Sequence, residues 1–216
     1  MKSTYKPISV ISGDIINSTE LSSEQFERLL TRIKDIQTWI NEGNKSNVHS
    51  IERGDEFKTV VHDIENALRY TIIYRVAIKA LGKKFDSRIS FAIASNADLR
   101  ESVSESMGEA FVLSGRGLKN LKNDRLYFDS DHLELSENFN LLFKYLDRQL
   151  TELTARQCEV MLPMLRTNDA LSVNELSSRL NIAAATASKS LKASGWSLIS
   201  ELNYRFINRV IGLKHV

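Results

Sequence analysis

The spacing of apolar residues changes several times along the chain, and each change marks an element. Pro7 to Ser12 is a short apolar run rich in β-branched residues and reads as a strand. From Ser22 the period lengthens. Phe26, Leu29, Leu30, Ile33, Ile36, Trp39 and Ile40 recur at helical spacing behind a Ser22–Gln25 capping box, and Glu42-Gly43-Asn44 ends the helix. Val48 to Arg53 and Phe57 to Val61 read as two strands around a turn at Gly54-Asp55, and Asp63 reads as the N-cap of a helix from Ile64 to Leu81. In Ser87 to Ser95, Ile89, Phe91 and Ile93 alternate with Ser90 and Ala92, which predicts a core strand. A helix over 108–123 and a short strand over 126–128 complete the order β-α-β-β-α-β-α-β. Its first six elements form the split βαβ arrangement of ferredoxin-like folds.

Beyond Asp131 strand signals cease. Residues 139–153 read as a connecting helix, Thr154–Gln157 and Ser172–Glu175 as capping boxes, and 155–166, 172–180, 184–193 and 196–211 as helices. The expected fold is α+β: a ferredoxin-like α/β sandwich over 1–130, a connecting helix over 131–153 and an all-α helix-turn-helix domain over 154–216.

Composition narrows the classes. The net charge is +2, and residues 151–216 hold eight Lys/Arg against five Asp/Glu, so the C-terminal part is the basic one. The one cysteine, Cys158, sits among apolar neighbours and reads as a buried thiol. No run reaches the ~18 apolar residues of a membrane span and no signal-peptide pattern opens the chain, so a cytoplasmic protein is expected. The four His, at 49, 62, 132 and 215, lack zinc-ligand spacing, and no Walker A or Rossmann fingerprint occurs.

Two acidic motifs remain, Gly13-Asp14-Ile15-Ile16-Asn17-Ser18 and Arg53-Gly54-Asp55-Glu56-Phe57. Each puts a carboxylate at the end of a predicted strand, with one helix between them, so Asp14 and Asp55 can lie side by side. Carboxylates so placed can hold Mg²⁺ on a polyphosphate, and glycine turns let backbone approach the phosphates. A helix starting just past Asn17-Ser18-Thr19 would aim N–H groups at an anion. The plain alternative is a loop aspartate and a hairpin-turn aspartate.

"SGDIINS", "RGDEF", "RISFAIAS" and "GEAFVLSGRGL" together resemble the catalytic core of class III nucleotidyl cyclases over residues 6–120, and "GDEF" resembles the diguanylate cyclase signature. Nearly the whole chain resembles the bacterial SatD family, which joins such a domain to a helix-turn-helix. The resemblance implies metal ligation by Asp14, Asp55 and the Ile15 carbonyl, and phosphate contacts from Asn17, Ser18 and Thr19. It implies a phosphate-stabilising role for Arg116, supplied across a homodimer. It also implies an asparagine where this chain has Val112, a purine-selecting lysine where it has Ile51, and a glycine where it has Arg53. These departures shift the expected role from catalysis toward binding of a nucleotide with Mg²⁺.

Leu176 to Leu191 fits a helix-turn-helix, with Leu176, Leu180, Ile182, Ala187 and Leu191 as its small core and Asn181 at the left-handed turn position. Ala184, Ala185, Thr186, Ser188, Lys189 and Lys192 would face DNA, with Arg179 on the neighbouring backbone. Trp196, Leu198, Ile199, Leu202, Tyr204, Phe206, Ile207 and Val210 make the last helix strongly apolar, for dimerisation or for packing on the connecting helix. The expected function is a homodimeric DNA-binding regulator whose degenerate cyclase-like domain binds a nucleotide. The alternatives are an active nucleotidyl cyclase or nucleotidyltransferase, and a scaffold with a fossil site.

Overall fold

The structure, a computed structural model, describes residues 6–52, 54–95, 97–167 and 171–215. Five strands, β1 (Ile8–Ile15), β2 (Val48–Glu52), β3 (Glu56–Val61), β4 (Ser87–Ala94) and β5 (Leu126–Ser130), form one mixed sheet in the order β2-β3-β1-β4-β5. β1 is antiparallel to both β3 and β4, β2 is antiparallel to β3, and β5 runs parallel to β4. The first four strands thus have the pairing that the split βαβ pattern predicts. Eight α-helices join them: α1 (Ser23–Gly43), α2 (Ala67–Lys79), α3 (Glu109–Asn120), α4 (Leu133–Glu152), α5 (Ala155–Arg166), α6 (Val173–Leu180), α7 (Ala184–Ala193) and α8 (Trp196–Ile211).

Strand alternation divides the sheet into two unlike faces. Ile11, Ile15, Phe57, Val61, Ile89, Phe91, Ile93, Leu126 and Phe128 point to one side, into a single apolar cluster with residues of α1, α2, α4, α5 and α8. The cluster extends from Ile11 in β1 to Val210 in α8. Phe91 and Phe128 of the sheet, Phe139 and Phe143 of α4 and Phe206 of α8 pack ring on ring within it, with centroids 4.7–6.0 Å apart. Such pairs add about 0.5–1.5 kcal/mol each beyond area burial. The apolar stripe of α8 is therefore used inside the molecule through Ile199, Phe206 and Val210, while Leu198 and Tyr204 remain exposed.

The opposite face carries α3, above β1, β4 and β5, and Val103 of a 3-10 turn, which clusters with Ile8, Val10 and Val60. Ser12 and Ser114 share a hydrogen bond of 2.6 Å between β1 and α3. A Cβ on Gly117 would lie 2.2 Å from Ser90 Oγ and 2.4 Å from the Tyr127 ring, so only glycine lets α3 settle this close.

One charged group is fully enclosed. Arg75 of α2 is 0% exposed. Its Nη1 donates to the carbonyls of Ser87 (2.9 Å) and Arg125 (2.8 Å), its Nη2 donates to Thr151 Oγ1 (3.2 Å), and it faces Asp86 (3.6 Å) and Asp147 (3.5 Å). These bonds tie α2 to β4, β5 and α4. Burial pushes the Asp147 carboxyl upward, against the opposing pull of Arg75 and of the Arg125 N–H that it accepts.

Both C-terminal capping boxes form, Thr154 with Gln157 and Ser172 with Glu175, as does the Ser22–Gln25 box of α1. Asp63 differs from expectation. It stands at the N-cap position of a 3-10 turn over Ile64–Asn66 that precedes α2, but its carboxylate caps no backbone N–H and instead accepts from the side chains of Asn44, Asn66 and Tyr70. No helix among the described residues is long and apolar enough to cross a membrane.

Candidate functional site

The first acidic motif straddles the end of a strand: β1 runs three residues beyond the predicted Ser12, and Asp14 is its next-to-last residue. β1 continues to Ile15, and Asp14 sits between Glu56 of β3 and Arg88 of β4 in register. Gly13 is likewise extended and opposes Phe57. A Cβ there would lie 2.3 Å from the Phe57 ring, so this glycine makes room for a buried aromatic rather than forming a turn. Gly54, at φ 83°, is a true turn glycine, as expected of the hairpin.

Asp14, Glu56 and Glu52 occupy one row across β1, β3 and β2, three carboxylates on the face shared with α3. Adjacent like charges at about 5 Å destabilise a sheet unless they are neutralised. Arg88 neutralises Asp14 as a two-pronged pair: Nε donates to Oδ1 at 3.1 Å and Nη2 to Oδ2 at 2.5 Å. Lys58 does the same for Glu52, with Nζ 3.1 and 3.0 Å from the two oxygens. Asp55, in the β2–β3 turn, accepts a 2.6 Å hydrogen bond from Ser18 Oγ. This bond joins the two acidic motifs across the site.

The carboxylates can be tested against a magnesium ion. Mg²⁺ demands oxygen ligands in near-ideal octahedral geometry, yet both Asp14 oxygens are committed to Arg88 and one Asp55 oxygen to Ser18. Among the described residues no group of three or more His, Cys, Asp or Glu is placed to hold a metal ion. An ion held by Asp14, Asp55 and the Ile15 carbonyl would have to displace Arg88 from Asp14 and share Asp55 with Ser18. Arg53 lies outside the described residues; the partner found on Asp14 is Arg88.

The phosphate-side residues are placed as follows. Asn17 is left-handed (φ 54°) and starts a single 3-10 turn over Ser18–Glu20. No α-helix begins just past Thr19. α1 starts at Ser23, and its first turn is closed by its own Ser22–Gln25 box, so its N-terminus is not aimed at this loop as expected. Arg116 is exposed on α3, close enough to Tyr127 of β5 to affect its phenol. Asp55 joins β2 to β3, near the opposite edge of the sheet, so one chain does not bring Arg116 to it. Val112 is 47% exposed and Ile51 packs partly on the main core.

The other candidate surface is built by α5, α6 and α7. Leu176, Ala187 and Leu191, with Val160 of α5 and Leu171, form a separate small core, and Leu180, Ile182 and Trp196 close it. Asn181, at φ 51°, makes the reversal between α6 and α7, where its N–H reaches the Ser178 carbonyl. Packing turns Ala187 inward and leaves Ala184, Ala185, Thr186, Ser188, Lys189 and Lys192 exposed, together with Arg179 on α6. Residues 176–200 contain Arg179, Lys189 and Lys192 and no carboxylate.

Cys158 is buried, and burial pushes its thiol up to about 12, which suits a packing residue. Arg88, Lys58, Glu52 and Glu56 were not singled out by sequence reasoning. Their signal is the two-residue alternation of β2, β3 and β4, which puts them on the polar face beside Asp14.

The fold was compared with known proteins. No protein-family model and no curated protein matches the chain. Among solved structures, the crystal structure of the guanylyl cyclase Cya2 aligns at 12% identity with a TM-score of 0.43, covering 57% of this chain and 74% of that one. The guanylate cyclase domain of RhGC from Catenaria anguillulae, in complex with GTP, aligns at 18% identity with a TM-score of 0.41, covering 55% of this chain and 75% of that one. These are distant likenesses of fold to guanylyl cyclase domains, over a little more than half of the chain.

Proposed function

We propose that this chain is a DNA-binding protein that reads duplex DNA with α7. The observation that carries the reading is the surface of the α6–α7 pair. Every outward position named above is small, hydroxylated or cationic, and no carboxylate interrupts residues 176–200. A helix of about 10 Å diameter fits the major groove. Ala184 and Ala185, at the start of α7, can approach base edges closely and touch thymine methyls, while Thr186 and Ser188 offer hydroxyls that donate or accept. Lys189 and Lys192 meet phosphates further along, and Arg179 meets the backbone beside the groove. Three cations per protomer give limited affinity, so a homodimer on two half-sites is the working form.

The rival reading, a metal-dependent nucleotidyl cyclase, requires Asp14 to exchange Arg88 for a metal ion. Selection of bound duplexes from a randomised pool tests the DNA reading. Wild-type protein should enrich a sequence motif, and an Ala185→Glu/Lys189→Glu variant, altered only at exposed positions, should enrich none. Absence of a motif with wild type, or the same motif with the variant, would refute it.

A further inference from the structure

A cavity of about 600 Å³, left unused by the DNA reading, lies on the side of the sheet where β1 ends. Four separate segments enclose it: the β1–α1 loop, the end of α2 with the 82–86 loop, the start of β5, and the joint between α4 and α5. Its volume falls within the roughly 300–1,000 Å³ typical of small-molecule sites.

Its charge is unbalanced. Lys79, Lys83, Lys84 and Arg125 line it, against Asp86 and Glu20. Asp86 is already shared among three cations: Arg75 (3.6 Å), Lys79 (3.4 Å) and Arg125, which is in direct contact. Lys79 is only 11% exposed in its side chain, and its Nζ donates to the Thr151 carbonyl at 2.9 Å. A nearly buried ammonium facing a shared carboxylate gains from a further anion, because the surrounding low dielectric strengthens the attraction. Lys83 and Lys84 stand exposed at the rim, carried by the turn in which the Phe85 N–H donates to the Gly82 carbonyl. Leu21, Phe85 and Leu153 give the wall an apolar part.

A guest suited to this chemistry carries several negative charges at one end and a ring at the other. We propose that the cavity binds a nucleoside phosphate without a metal ion, its phosphates on Lys79, Lys83, Lys84 and Arg125 and its base against Leu21, Phe85 and Leu153. Lysines neutralise phosphate charge as point cations, and Arg125 adds planar donors. Ile16 and Asn17 also line the cavity, so this region keeps two residues of the first acidic motif while making no use of Asp14 or Asp55. The guest would touch Thr151, Leu153 and Thr154, at the joint from which α5 runs to the small core under α7.

Calorimetric titration of the full chain with ATP, GTP, CTP and UTP, each in EDTA, tests the assignment, with inorganic pyrophosphate as a second probe. At least one nucleotide should bind with a dissociation constant of roughly 10–100 μM, and pyrophosphate should bind at least about threefold more weakly, because it lacks the base. Lys83→Glu/Lys84→Glu, at two exposed positions, should weaken the nucleotide at least about tenfold, and Asp14→Asn should leave it unchanged. Three results each overturn the proposal: no binding of any nucleotide by wild type, equal affinity in the double-lysine variant, or pyrophosphate binding as tightly as the nucleotide. None of these outcomes bears on the DNA selection, so the two readings fail separately.

Discussion

Removing Lys189 or Lys192 from α7 should change the salt dependence of DNA binding by a predictable amount. Arg179, Lys189 and Lys192 are exposed on one surface, and the fold offers no carboxylate within 176–200 to neutralise them. If each meets one phosphate, binding releases counterions in proportion, and log K falls against log salt with a slope of about −2.7 per protomer, or −5.4 for a dimer. Raising KCl from about 50 to about 200 mM then costs roughly 40-fold in affinity for one protomer and on the order of 10³-fold for a dimer. Lys189→Gln should make the slope shallower by about 0.9 per protomer, and the Lys189→Gln/Lys192→Gln pair by about 1.8. Fluorescence anisotropy of a labelled selected duplex across that salt range measures the slope directly. Lys34→Gln, exposed on α1, is the control, because a nonspecific charge effect would move it equally. Slopes unchanged by the α7 substitutions, or changed as much by the control, would refute the assignment of α7 to the groove.

Three further outcomes follow from the packing. Arg75→Met should lower stability by about 3–5 kcal/mol in urea denaturation, since it leaves the Ser87 and Arg125 carbonyls without their donor and takes one cation from Asp86 and from Asp147; a loss under about 1 kcal/mol would contradict the network described. Gly13→Ala should cost about 1–3 kcal/mol, because the fully buried Phe57 ring stands 2.3 Å from the new methyl, and the smaller Phe57→Leu should recover part of that loss in the double variant. Burial holds the His49 imidazole down at about 4, while Asn41 and Thr59 bond its two nitrogens. Its folded pKa lies below the unfolded value of 6.5, so its contribution is complete above pH 6.5 and is lost as pH falls toward 4. His49→Asn should flatten the stability–pH curve in that window, with a slope change below about 1.4 kcal/mol per pH unit because the ring is partly solvent-screened; an unaltered curve would assign the loss to other groups.

How much of this was legible beforehand depends on whether the responsible partner is near in sequence. The capping boxes at Ser22, Thr154 and Ser172 are three-residue devices, and each forms where its residues predict it. The alternation of Ile89, Phe91 and Ile93 needs no distant information either, and these side chains do face the main core. Asp14 is different. Strand β1 runs through it because Arg88, 74 positions away, lies opposite and takes its charge; the end of β1 therefore looked polar and loop-like when read alone. Asp63 is a mixed case: Asn44, 19 positions before it, joins Asn66 and Tyr70 of the following turn and helix in occupying the carboxylate that local rules assign to a backbone cap. Arg75 lies in an apolar helical run, and only the meeting of β4, β5 and α4 around it shows what it does. The cavity beside Asn17 draws on four segments and has no signature in any of them.

The pairing of Asp14 with Arg88 also bears on where an anion or a cation would go. A carboxylate that holds a metal ion must be free of other cations, because a metal and a guanidinium compete for the same lone pairs. Here the competing cation is supplied by the neighbouring strand in fixed register, so it is always at hand; separating it from Asp14 means breaking a two-pronged charged contact whose partners are 20% and 37% exposed. Neutralisation of the acidic row thus comes from within the sheet, by Arg88 for Asp14 and Lys58 for Glu52. Excess positive charge instead collects around the neighbouring cavity, where Lys79, Lys83, Lys84 and Arg125 outnumber their carboxylates. In a chain so arranged, an anionic guest is drawn to the lysine-lined cavity rather than to the aspartates.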